Sequence, residues 1–168
     1  MSGVLVAGIG NVFMGDDGFG VEVVARMLRR GVPAGATVVD FGIRGIDLTY
    51  ALMDGYDAAV MVDAMQHGRA PGTVSVIEPE PDEDTSDPTF SPHDLDPAKV
   101  LRLARMLGAA CPRLLVLACE PLTFGGEEGL MGLSPPVAAA VDPAVGALET
   151  LVRRLLGEQG NTGMSGGN

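Results

Sequence analysis

Hydrophobic and polar positions alternate along this chain in blocks of two periods. Val4–Gly8 is a short apolar run closed by glycine and predicts a buried strand. Asn11–Gly15 has the composition of a turn. From Asp17 to Arg30 the apolar positions fall at Val23, Val24, Met27 and Leu28, with Gly20 one turn earlier. Glu22, Arg26, Arg29 and Arg30 take the other face. That spacing predicts an amphipathic helix. Asp16 or Asp17 can cap it, Asp16 being preferred, and Gly31 and Pro33 end it.

The same reading predicts strands over Thr37–Phe41, Ala58–Val62 (running into Asp63), Thr73–Ile77 and Arg113–Cys119. Helical spacing falls at Ile46–Met53 and Pro97–Ala109. Ser134-Pro135-Pro136 reads as a capped helix start, with helix to about Leu156. Pro143 is expected to kink or restart that helix, with Asp142 as a second cap. Residues 1–156 therefore read as a single α/β domain, and 157–168 as a flexible Gly-rich tail.

Strands alternating with helices predict a three-layer α/β fold, a mainly parallel five-stranded sheet with helices on both faces. Ligands of such sheets sit outside the carboxyl ends of the strands. Asp17, Asp40 and Asp63 follow or end the first three strands and so fall on one rim.

Composition narrows the function classes. The chain has 168 residues, 46% of them hydrophobic, which suits one core. Aromatic content is 4%, so the core is built from Val, Leu, Ala, Ile and Met. The net charge of −11 opposes nucleic acid and anionic membranes as partners. No apolar stretch approaches the roughly 20 residues of a bilayer span, and the N-terminal run lacks the basic flank of a signal peptide. The two cysteines, Cys111 and Cys119, form no metal-binding spacing and demand no disulfide. These features fit a cytoplasmic protein.

Several chemistries compete for the polar residues. The strand–glycine loop–helix start at Gly8-Ile9-Gly10 is a poor dinucleotide site, because Phe13 stands where the template needs glycine. Asp16 and Asp17 also lie where pyrophosphate would approach. The glycine density there implies a close approach to the backbone. A serine nucleophile elbow is absent, and Cys119 lacks a flanking oxyanion motif. Two acids from the rim plus one imidazole make an O,O,N set suited to Zn, Ni, Fe or Mn. His67 and His93 are equal candidates for the imidazole on spacing alone. The segment Glu78–Asp96 holds eight acidic residues and four prolines and reads as a long loop, either a solvated linker or a flap carrying His93.

Taken in order, these segments resemble the hydrogenase maturation protease family. The matching pieces are Gly8-Ile9-Gly10-Asn11 with Gly15-Asp16-Asp17-Gly18-Phe19-Gly20, Asp40-Phe41-Gly42 with Gly45, and Val62-Asp63-Ala64 with Pro71-Gly72-Thr73. Ser91-Pro92-His93 and Gly132-Leu133-Ser134-Pro135 follow. The resemblance covers almost the whole chain up to the last helix. It implies a five-stranded twisted sheet and a nickel-binding set of Asp17, Asp63 and His93, which demotes His67. It also implies a role for Asp40 in catalysis or substrate recognition. The loop Phe41-Gly42-Ile43-Arg44-Gly45 departs from the commoner Gly-Gly-Thr-x-Gly form. The implied activity is removal of a C-terminal extension from the precursor of a nickel–iron hydrogenase large subunit. Nickel carried by that substrate is the recognition signal, no permanent cofactor is expected, and the protease is expected to be a monomer. A non-enzymatic nickel-delivery or checkpoint module would use the same ligands. A hydrolase of small anions is disfavoured by the acidity of the chain.

Overall fold

The computed structural model describes residues 3–79, 97–108 and 113–162. Five strands form one sheet in the order β2-β1-β3-β5-β4. They are β1 (Val4–Ile9), β2 (Ala36–Gly42), β3 (Ala58–Ala64), β4 (Val74–Ile77) and β5 (Arg113–Cys119). β1 pairs in parallel with β2 and β3, β3 pairs in parallel with β5, and β4 runs antiparallel on the edge. The helices are α1 (Phe19–Arg30), α2 (Gly45–Leu52), α3 (Pro97–Met106) and α4 (Pro135–Thr162), with a 3-10 turn at Gly15–Gly18. The three-layer α/β fold read from the sequence is the fold observed.

Strand alternation divides the core. Val4, Val6, Val60, Val62, Leu115 and Leu117 face α1 and α4. Leu5, Ala7, Ala59, Met61, Leu114 and Val116 face α2 and α3. The central strands are apolar on both faces because both faces are covered.

Three local expectations are corrected. The α1 N-cap is Gly18, with no side-chain cap, because both neighbouring acids are engaged elsewhere. Leu28 is exposed, and the buried stripe of α1 is Phe19, Gly20, Val23, Val24 and Met27. α4 neither restarts at Pro143 nor stops near Leu156. Its apolar stripe, Val137 through Val145 and Leu148 to Leu155, packs continuously on the sheet. That burial outweighs the roughly 3 kcal/mol cost of an interior proline. Asp142 pairs with Arg26 at 2.6 Å, and Glu158, beyond the expected helix end, reaches Arg113 at 3.1 Å.

The glycines of the first loop serve the packing of the chain on itself. A methyl group at Gly20 would overlap the carbonyl oxygens of Val62 and Ile9, so only glycine lets α1 lie this close to the carboxyl ends of β1 and β3. Gly10 has φ +137°, and a methyl group there would overlap the Asp17 carbonyl oxygen. The close approach implied by the sequence is made by the protein's own backbone.

Asp16 fixes the loops on this rim. It is fully buried. Its Oδ1 accepts the Ser134 N–H at 2.7 Å. Its Oδ2 accepts the Leu122 and Thr123 N–H groups at 2.8 and 3.1 Å and the Ser134 hydroxyl at 2.8 Å. Burial alone would raise its pKa, but the donors from Ser134, Thr123 and Leu122 more than offset this and hold it below the usual carboxylate value. One carboxylate thus ties the turn before α1 to the loop after β5 and to the start of α4.

Two predictions test this frame. Gly20→Ala should cost about 3 kcal/mol or more, read as a fall in the urea midpoint, because backbone oxygens cannot move aside as a side chain can. Asp16→Ala should cost roughly 3 kcal/mol or more at neutral pH, since it strands several buried donors. A depressed folded pKa means that Asp16 stabilises fully above its unfolded value and progressively less as pH falls through the folded one. The gap between wild type and Asp16→Ala should therefore narrow below about pH 4.

Candidate functional site

The carboxyl rim brings Asp17 and Asp63 together. Asp17 sits in the 3-10 turn, and its Oδ2 accepts the Asn11 N–H at 2.8 Å. Asp63 lies on β3, buried, and its Oδ1 accepts the Ala64 N–H at 2.8 Å. Alternation along β3 puts Asp63 on the face of Met61 and Ala59, toward the α2 and α3 layer. Among the described residues no hydrogen bond reaches Asp17 Oδ1 or Asp63 Oδ2.

The electrostatics of the pair are those of a site short of positive charge. Burial pushes the Asp17 carboxyl up, partly opposed by the Asn11 N–H. Burial, and then the nearby Asp17 charge, push Asp63 well above the usual carboxylate value, and the Ala64 N–H only partly opposes them. Two desolvated acids of like charge are relieved by a proton or a cation. Their oxygen donors suit a divalent ion, and one imidazole would complete a borderline set. His93 lies outside the described residues, as does the acidic segment from residue 80 to 96.

Asp40 is on the same rim but apart from the pair. It is exposed on the edge strand β2, paired in register with Gly8, which in turn pairs with Val62. Its Oδ1 accepts the Gly42 N–H at 2.8 Å. The register shift that follows Gly8 lets the chain turn into the loop, where Arg44 binds the carbonyls of Asp40 and Phe41 at 2.6 and 3.2 Å. Arg44 also stands over the Phe41 ring, 6.0 Å from its centroid. Arg44, at the free position of that loop form, thus braces the turn, and Phe41, one of its departures, supplies the ring.

Glu120 was missed by sequence reasoning. It directly follows β5, so the strand-end rule that singled out the other acids also points to it. Its buried carboxylate accepts the backbone N–H groups of His67 and Gly68 at 2.7 and 3.2 Å, holding the loop that leaves β3. The His67 residue is exposed. Cys119 is fully buried, and burial, with the Asp16 and Glu120 charges, pushes its thiol up to about 11. It is an inert core residue and not a nucleophile. Cys111 lies outside the described residues.

The acid pair should weaken the fold where it is ionised. An acid whose folded pKa is raised adds no penalty below its unfolded pKa, and costs stability increasingly as pH rises toward the folded value. Asp63→Asn keeps the acceptor for Ala64 without the charge. It should raise Tm at pH 8, by about 2–4 °C per kcal/mol recovered, with a smaller gain at pH 4. Equal shifts at both pH values would contradict this account.

A profile of the hydrogenase maturation protease family matches residues 21–151. The hydrogenase 2 maturation protease of Escherichia coli is 30% identical over 144 residues, covering 84% of this chain and 85% of that protein. A putative hydrogenase maturation protease of Methanocaldococcus jannaschii is 31% identical over 143 residues, covering 84% and 91%. The solved structure of the hydrogenase maturating endopeptidase HybD from E. coli has a TM-score of 0.73 at 28% identity, covering 90% of this chain and 93% of that one. With the ordered motifs and the sheet topology in agreement, the chain belongs to the hydrogenase maturation protease family.

Proposed function

We propose that this chain is the endopeptidase that removes the C-terminal extension of a nickel–iron hydrogenase large-subunit precursor once nickel has been inserted. The observation that carries this reading is the desolvated Asp17–Asp63 pair on the carboxyl rim, in a chain of this protease family. In this reading Asp17, Asp63 and His93 dock onto nickel carried by the substrate. A cation beside Asp63 favours its ionised form, against the burial and the Asp17 charge that raise its pKa. Nickel then anchors the precursor beside the rim, where proximity supplies much of the rate. It can polarise the scissile carbonyl or activate water. Asp40, exposed on the same rim with its Oδ1 held by the Gly42 N–H, is the carboxylate we assign as general base.

The test is a denaturing gel of precursors incubated with the protein. Nickel-loaded precursor should shorten and nickel-free precursor should not. Asp17→Asn, Asp63→Asn and His93→Ala should each abolish the mass change. Normal cleavage by all three variants sinks the ligand assignment. Binding of nickel-loaded precursor with no mass change would identify a non-hydrolytic checkpoint instead.

A further inference from the structure

The rim carries a second feature that the acid pair does not explain. Val12, Phe13, Met14, Leu122, Leu130 and Met131 are all exposed, with Phe13 and Met131 at 64% and 68%. Phe13, Met14, Leu130 and Met131 line a concavity of about 500 Å³ together with Glu127 and Glu128. Scattered exposed apolar side chains are ordinary, but a contiguous patch marks a surface that another molecule covers.

The backbone beneath the patch is tightly held. Gly15 N–H donates to the Leu130 carbonyl at 2.7 Å and Leu130 N–H to the Phe13 carbonyl at 2.9 Å. Gly129 N–H donates to the Gly126 carbonyl at 2.9 Å, closing the turn that carries Glu127 and Glu128. Asn11 links patch to site: its N–H donates to Asp17 Oδ2 and its Oδ1 accepts the Phe13 N–H at 2.9 Å. The apolar side chains are therefore presented on a preorganised frame continuous with the acid pair, which lowers the ordering cost of binding.

Charge selects the occupant. Glu127 and Glu128 are exposed on the lip, and among the described residues no Arg or Lys pairs with either. A second copy of this chain, at net charge −11, would bring more negative charge to that lip. We infer that the patch formed by Phe13, Met14, Leu130 and Met131 is the docking surface for the large-subunit precursor, and that it takes an apolar segment flanked by Lys or Arg. This rests on the proposed function for the identity of the partner, but not on nickel or on cleavage.

Isothermal titration with nickel-free precursor isolates the surface from the metal. The wild-type protein should bind it, more weakly as salt is raised. The double variant Phe13→Ser/Met131→Ser should bind about tenfold or more weakly with its thermal midpoint kept. Glu127→Gln/Glu128→Gln should lose most of the salt dependence. Met106→Ser, which removes an exposed apolar side chain on α3 outside this patch, should bind as wild type does. Unchanged affinity in the patch variants, or no binding by the wild type, overturns the docking surface. So does a wild-type dimer that Phe13→Ser/Met131→Ser converts to monomer without loss of precursor binding. Binding through the patch with no cleavage of nickel-loaded precursor would leave the docking surface standing and refute the proposed function alone.

Discussion

The carboxyl rim depends on the Asp16 carboxylate. Loops on that rim have no core of their own, and most of their side chains are exposed. Glu120 holds the loop after β3, and Asp16 accepts hydrogen bonds from the loop after β5 and from the start of α4. A buried charge is tolerated when its oxygens are filled by donors, and here four donors fill them. The Asp16 contacts join positions more than a hundred residues apart, so they close the fold as well as the loop.

The next residue lives by the opposite rule. Asp17 is one position along the same turn, but within the described residues its carboxylate accepts only the Asn11 N–H, and its pKa is raised where that of Asp16 is lowered. Identical side chains in adjacent positions are thus set apart by the donors around them. One is ionised and structural. The other stays electrostatically unsatisfied, and its charge adds to the burial that raises Asp63.

How much of this was legible in the sequence follows from the range of each interaction. β5 begins and ends where its apolar run does, and β1, β2 and β3 each extend a residue or two beyond theirs, because parallel pairing continues past the apolar stretch. The placement of Asp17 and Asp63 on the rim is legible because strand ends on a parallel sheet are local signals with a global meaning. Asp16 was misread as a cap because a cap is the nearest local use of an acid before a helix. Its true partners lie at Leu122, Thr123 and Ser134, and no local pattern reports them. The same holds for α4, where the proline is a local signal but the buried stripe that overrides it is a property of the packed layer.

The arrangement also bears on the proposal that the metal is delivered by the substrate. Asp17 and Asp63 each commit one oxygen to a backbone N–H, which orients the carboxylates before any ligand arrives. In the empty state burial and the Asp17 charge disfavour the ionised form of Asp63. In that proposal, a cation arriving with the substrate would relieve this only on docking, and the gain would discriminate loaded from unloaded cargo. A permanently bound ion would spend the same free energy on the resting protein and leave nothing to distinguish the two. Selection by cargo, as proposed, would rest on a site that is geometrically prepared and electrostatically incomplete.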